Sequence, residues 1–370
     1  MTGILYFTSI LIAFIYIFII THLWTSWQEI DEWHFSPNFL PDTKVTVIVP
    51  FRNETEHLGP CLHSILLSNY PKKYLEIIAV NDHSTDDSIS KVPTDVQLID
   101  AEGFGKKSAI ASGVRASNGH LIVTTDADCT VGRNWLKEIV SYYEYTSKKF
   151  IAGSVALEGK KNVLEYFQIM DTCGTMGFHA AGIHNKTYFL ANGANLIFEK
   201  DLFDDLKPYE NNQDLASGDD IFFINSVAKA DPEVIGFLKS KDSVVSTTTV
   251  KSWTDLWKQR KRWATKTHRF SYGLYKWMTA CIWILSISII INAILIPFTN
   301  GLSLFVMLTQ LLIKGIMDYL YLQNMCHYFG KEKTLKYFIP AFFIQTIYIA
   351  VAGLFTFTKG NYEWKGRMVK

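Results

Sequence analysis

Short, wholly apolar runs alternate with amphipathic ones through the first half of the chain. Val45-Thr46-Val47-Ile48-Val49 closed by Pro50, Glu76 to Val80, Val96 to Ile99 and Leu121 to Thr125 read as strands, with helices at His57 to Leu67 and Lys106 to Ala116. Strands that are apolar throughout and alternate with helices predict an α/β fold on a parallel sheet covered on both faces. The polar turns then fall at strand carboxyl ends, where open α/β sheets bind ligands. From Lys161 to Ala181 apolar residues recur at helical spacing, and Ala191 to Phe198 returns to a strand-like run.

Four longer apolar runs have another period. Gly3 to Ile20, Met278 to Phe298, Leu302 to Leu322 and Phe338 to Thr358 each approach the ~20 residues that a membrane-spanning helix needs. The first has no basic residue before it, and Thr21-His22-Leu23-Trp24 after it is a poor cleavage site, so it reads as a retained anchor. Within the third, Lys314 and Asp318 are spaced to pair on one helical face. Lys251 to Trp277 is basic and aromatic, with Trp253, Leu256, Trp257, Arg260 and Trp263 placing an apolar side beside a cationic one, as in a helix lying on a membrane surface.

Composition agrees with a membrane protein. Hydrophobic residues make up 48% of the 370, and mean hydropathy is +0.09. A net charge of +1 gives no global field for a nucleic-acid partner. Cys61, Cys129, Cys173, Cys281 and Cys326 are odd in number and lack paired metal-ligand spacing, so they read as reduced packing residues.

The candidate chemistry is mostly acidic. Asp126-Ala127-Asp128 ends a strand, and alternation along an extended chain would put both carboxylates on one side. Hard oxygen ligands so arranged suit Mg²⁺ or Mn²⁺ on a diphosphate; the alternative is a solvated turn. Asp82, beside Pro50, Arg52 and Glu54 of the first strand's end, is placed to bind a nucleotide base or ribose, while Ser84 or Asp86 of the same turn caps the next helix. Lys106 at a helix start could meet a phosphate or simply be solvated. Gly218-Asp219-Asp220 opens an apolar helix; it supplies either a favourable dipole interaction or a general base, for which Asp220 is preferred over Asp219. In Lys258-Gln259-Arg260-Lys261-Arg262-Trp263, an ordinary cationic membrane flank competes with diphosphate pairing and sugar stacking by Gln259, Arg262 and Trp263.

Val47-Ile48-Val49-Pro50-Phe51-Arg52-Asn53-Glu54, Asn81-Asp82-His83-Ser84-Thr85-Asp86, Gly105-Lys106, the D-x-D, Gly193-Ala194-Asn195 and Gln259 to Trp263 occur in this order. Over about residues 44 to 270 the chain resembles the inverting family 2 glycosyltransferases of GT-A fold. The membrane-embedded branch is nearest, with the ceramide glucosyltransferases and the chitin, hyaluronan and cellulose synthases. Two departures are Asn81 and His83, where the family turn has an acid and a glycine, and Asp219 for a glutamate.

The resemblance implies a Rossmann-like GT-A domain with N- and C-terminal transmembrane helices. It implies Asp82 on the base or ribose, Asp126 and Asp128 on the diphosphate and its metal, Asp220 as base, and Gln259, Arg262 and Trp263 along the diphosphate and acceptor. The expected divisions are an anchor and linker over 1–40, the GT-A domain over 41–250, an interfacial segment over 251–277 and a membrane region with a basic tail over 278–370. The expected activity is single transfer from a UDP-sugar to a lipid-like acceptor. A processive polysaccharide synthase and a catalytically silent scaffold are the alternatives. The expected location is the cell inner membrane with the catalytic domain cytosolic. Three full spans after the domain would then put Lys359, Lys365, Arg367 and Lys370 outside, against the positive-inside tendency.

Overall fold

The computed structural model describes residues 2–159, 162–210, 218–267, 272–355, 362–364 and 367–369. Lys161, Thr358, Lys359, Lys365 and Lys370, named above, lie outside them. The chain divides into two compact units, a sheet unit of Ile30–Glu158, Gly182–Thr248 and Asn361–Lys370, and a helical unit of Met1–Glu29, Gly159–Ala181 and Thr249–Gly360.

Among the described residues the strands of the sheet unit are β1 (Val45–Phe51), β2 (Leu75–Asn81), β3 (Gln97–Asp100), β4 (Leu121–Thr124), β5 (Phe150–Gly153), β6 (Val155–Glu158), β7 (Leu196–Glu199), β8 (Ile235–Leu238) and β9 (Val245–Thr248), with a short antiparallel pair, β10 (Tyr362–Trp364) and β11 (Arg367–Val369). Seven form one sheet in the order β3-β2-β1-β4-β7-β5-β8. β1 is buried along its whole length, which is why it reads as a continuous apolar run rather than an alternating one. It runs on through Pro50 to Phe51, although Pro50 looks like a terminator. β4 pairs with β1 only from Val45 to Ile48, so on that side the missing proline N–H removes no ladder bond.

The sheet is mixed, not wholly parallel. β1 to β4 run parallel, but β7 is antiparallel to both β4 and β5. Local alternation cannot reveal this, because β7 follows a long helix rather than a crossover from β4. β6 and β9 form a separate parallel pair, and Thr130 bridges to Ser246 of β9. Asn195, just ahead of β7, is 1% exposed and fastens this region. Its Nδ2 donates to the carbonyls of Ser154 and Ser243, each at 2.9 Å, and its Oδ1 accepts from Trp135 Nε1 at 3.2 Å.

In the helical unit, among the described residues, four helices have the length and hydropathy to cross a membrane: Tyr6–Glu29, Gly273–Phe298, Leu302–Tyr328 and Glu332–Gly353. Their polar residues meet one another. Lys314 Nζ lies 2.5 Å from Asp318 Oδ2, Tyr16 donates to Asp318 Oδ1, and Gln310 Nε2 donates to Ser9 O at 2.8 Å and Ser288 Oγ at 2.9 Å. Such groups are costly in hydrocarbon unless paired, which selects this helix register.

Gly159–Ala181 packs within this unit, where its small residues meet the helix Leu302–Tyr328. Tyr321 donates to Gly174 O at 2.8 Å, and a Cβ at Gly177 would come within 2.5 Å of Met325 Sδ. All five cysteines are buried free thiols.

Asn195→Ala would strip the Ser243 carbonyl and the Trp135 indole N–H of their partner and leave the Ser154 carbonyl with Val245 N alone. A loss of about 2–4 kcal/mol is expected, read as a lower denaturation midpoint for the sheet unit. A change below about 0.5 kcal/mol, the usual size for an uninvolved surface site, would contradict the fastening role.

Candidate active site

Parallel strands end side by side, so the turns after β1, β2 and β4 are brought together. At the end of β2, Asn81 Nδ2 donates to Asp100 Oδ1 at 2.8 Å and its Oδ1 accepts from Ser84 N at 2.9 Å. The asparagine therefore shapes the turn. Arg52, buried after β1, donates through Nη1 to the carbonyls of Asp82, at 2.8 Å, and His83. Its guanidinium holds the turn from below. Pro50 is buried in β1, and Glu54 uses its backbone N–H on Ser88 Oγ. Asp82 is 2% exposed, and its Oδ1 accepts from Gly105 N at 3.0 Å with His83 Nδ1 3.5 Å away.

Gly105, at φ +89°, turns the chain into the helix Lys106–Ala116, a conformation glycine adopts without strain. Lys106 is neither solvated nor alone. Its Nζ lies 2.6 Å from Asp126 Oδ1 and 2.9 Å from Asp219 Oδ2. Burial by itself would favour a neutral amine, but Asp126 and Asp219 hold the ammonium well above the ordinary lysine value. Burial pushes the Asp126 carboxyl up, with Asp128 and Asp219 adding to the rise and Lys106 opposing it.

The two acids of the D-x-D do not share a strand face. β4 ends at Thr124, and Cys129 N donates to Asp126 O at 3.0 Å to close a turn, so strand alternation does not govern these positions. Asp126 is half-buried against Lys106, whereas Asp128 is exposed. Asp128 Oδ1 receives a weak contact from Cys129 Sγ at 3.7 Å, and Thr247 Oγ1 donates to its carbonyl at 3.2 Å.

Asp219 and Asp220 open the helix Asp219–Ala230 behind Gly218, at φ +101°, and they differ in surroundings. Asp219 is 5% exposed and carries the Lys106 ion pair. Asp220 is half-buried; its Oδ2 accepts from Gly193 N at 3.3 Å and its Oδ1 from Ile221 N at 2.8 Å. Gly193 is a site residue that sequence reasoning assigned no role. A Cβ there would stand 2.6 Å from Asp219 Oδ2 and 2.8 Å from Lys106 Nζ. Its signal was the Gly193-Ala194-Asn195 run. Two others had none: Cys61 Sγ donates to Asp126 O at 3.5 Å, and Tyr209 donates to Asp219 O at 3.2 Å.

Gln259, Arg262 and Trp263 belong to the helical unit, on the helix Trp253–Thr267. Gln259 and Arg262 are half-buried, and Trp263 is exposed. The neighbour Arg260, which sequence reasoning gave only a place on the amphipathic face, pairs with Asp171 Oδ2 at 2.5 Å and sets its guanidinium 4.5 Å over the Trp263 ring. One face of that indole is therefore taken within the unit.

Among the described residues no three histidine, cysteine or acidic side chains converge as a self-contained metal cage. An exposed Asp128 beside half-buried Asp126 fits Mg²⁺ or Mn²⁺ in a different way. Such ions are commonly held by one or two carboxylates and completed by substrate phosphates and water.

Residues 46–205 match the family model described as glycosyl transferase family 2. Glycosyltransferase AglE of Haloferax volcanii is 26% identical over 196 residues, 50% of this chain and 62% of AglE. A poly-β-1,6-N-acetyl-D-glucosamine synthase of Staphylococcus epidermidis is 22% identical over 330 residues, 85% of this chain and 73% of its own. The mannosyltransferase PcManGT from Pyrobaculum calidifontis, solved with GDP-Man and Mn²⁺, matches at a TM-score of 0.60 and 19% identity over 93% of this chain and 99% of that one, which shows the same fold. With this fold and these acidic turns at its strand ends, residues 46–205 form a domain similar to the family 2 glycosyltransferases, and the chain joins this GT-A fold to helices able to cross a membrane.

Proposed function

We propose that the protein is an inverting, metal-dependent glycosyltransferase that moves a sugar from a UDP-sugar to a hydroxyl of a lipid-like acceptor. The observation that carries the reading is the split between the two acids of Gly218-Asp219-Asp220. Asp219 forms the ion pair with Lys106, while Asp220 accepts from the amides of Gly193 and Ile221.

Asp220 is then the group placed to take the acceptor hydroxyl proton as that oxygen attacks the anomeric carbon. The bond from that carbon to the diphosphate breaks, the electron pair leaves with UDP, and the configuration inverts. A divalent cation held by Asp128 and Asp126 would neutralise the departing diphosphate. Lys106 bridges Asp126 and Asp219 and opposes the rise that burial gives the Asp126 carboxyl, and Asp82 at the end of β2 takes the base or ribose. The part given to Gln259, Arg262 and Trp263 at the diphosphate and acceptor rests on the sequence motif.

The four apolar helices support a lipid-side acceptor and a membrane location with the domain in the cytosol, where nucleotide sugars are made. Alignment with a polysaccharide synthase over 85% of the chain favours a second reading, repeated addition to a growing glycan; product length on a chromatogram separates the two. A silent scaffold gains nothing from gathering a lysine and three carboxylates at its strand ends.

Asp220→Asn is expected to lower turnover by about 10²–10⁴-fold while UDP binding persists, measured by product formation beside calorimetric titration; near-native turnover would refute the base. In Asp128→Ala, metal-dependent binding of the donor should be lost, and an unchanged Mn²⁺ requirement would remove Asp128 from the metal site. The pH profile of donor use tests Lys106. Asp126 must be ionised to hold a cation, its carboxyl is raised by burial, and Lys106 is the opposing charge. In Lys106→Met the acid limb should therefore move to higher pH, and an unmoved limb would contradict the pairing.

A further inference from the structure

Phe104 is 73% exposed, yet it does not sit on a loose loop. Gly103 N donates to Ser108 Oγ at 2.9 Å and Gly105 N to Asp82 Oδ1 at 3.0 Å, so both flanking amides are tied down. The phenyl ring lies against the His83 imidazole, with centroids 4.5 Å apart and planes 35° from parallel. His83 is fixed in its turn, through its carbonyl on Arg52 and through Ser84 N on Asn81 Oδ1.

Its backbone stands at φ +54°, a left-handed conformation that costs a side-chain-bearing residue what glycine would not incur. A pinned, water-facing phenyl ring and a left-handed histidine are two separate costs at one spot. The His83 side chain is itself 41% exposed, so the paired rings face solvent at the strand ends.

We propose that His83 and Phe104 form the stacking wall for the nucleobase of the donor, so that this ring pair, with Asp82 beneath it, reads the base. The inference rests on the donor being a nucleoside diphosphate sugar. Three consecutive residues carry the placement. Lys106 meets the carboxylates of the diphosphate end, Gly105 meets Asp82, and Phe104 meets His83. That order is the order of the ligand itself: charged diphosphate, ribose, flat base. An aromatic face offers every base a stacking surface in a sequence-tolerant way, while a buried carboxylate supplies acceptors for its edge or for the ribose.

The test is calorimetric binding of UDP, GDP and inorganic diphosphate, each with Mn²⁺, to the full-length enzyme and to His83→Gly and Phe104→Ala. The native enzyme should bind one or both nucleotides more tightly than diphosphate. Each variant should lose about tenfold in nucleotide affinity, the usual size of one lost base–aromatic stack, with diphosphate affinity unchanged. His83→Gly should also unfold at the same or a higher temperature, because glycine relieves the left-handed backbone; that outcome separates lost stacking from lost folding. Variants that keep the full preference for nucleotide over diphosphate would overturn the ring pair while leaving the donor reading intact. A native enzyme that binds neither nucleotide would overturn both.

Discussion

The contact on which the candidate site depends is the ammonium of Lys106 held between Asp126 and Asp219. It joins the helix Lys106–Ala116, the turn after β4 and the helix Asp219–Ala230, three segments far apart in sequence. Without a cation between them, two carboxylates this deep would repel each other and take up protons. The ammonium opposes that repulsion, and Asp220 accepts from Gly193 N beside it. Gly193 makes the closeness possible, since any side chain there would collide with both Asp219 and Lys106.

Positioning at the strand ends follows the same logic of spending polar groups on backbone. Arg52, a candidate ligand-binding residue in the sequence, and Asn81 both buttress the turn that carries Asp82 and His83. In the helical unit, Lys314, Asp318 and Tyr16 satisfy one another inside helices able to cross a membrane, and Arg260 pairs with Asp171. A group that would be costly unpaired sets the register of what it touches.

Much of this was legible in the chain. β1, β2 and the helix from Lys106 to Ala116 could be drawn from apolar runs and punctuation, because each is a local pattern fixed by burial. The antiparallel insertion of β7 was not, since strand pairing depends on contacts that no local period records. The D-x-D was legible as chemistry and not as geometry: its acids lie in a turn past β4, one against Lys106 and one toward solvent. Asp219 and Asp220 could be singled out, but only their partners tell them apart. Cys61 and Tyr209 carried no signal, because a thiol or phenol that positions a backbone carbonyl looks like any other core residue. Lys314 and Asp318 pair as their spacing suggests, because i and i+4 share one helix face.

A double-mutant cycle on Lys106→Met and Asp219→Asn, read as unfolding free energy of the full-length protein, most directly tests whether this lysine holds the site together. Lys106→Met leaves the buried Asp219 without its cation, and Asp219→Asn leaves Lys106 on Asp126 alone, so the double variant should lose less than the sum of the singles, with a coupling of about 1 kcal/mol or more. Losses that simply add, within about 0.3 kcal/mol, would mean that Lys106 and Asp219 act independently, and the assembly described here would be wrong.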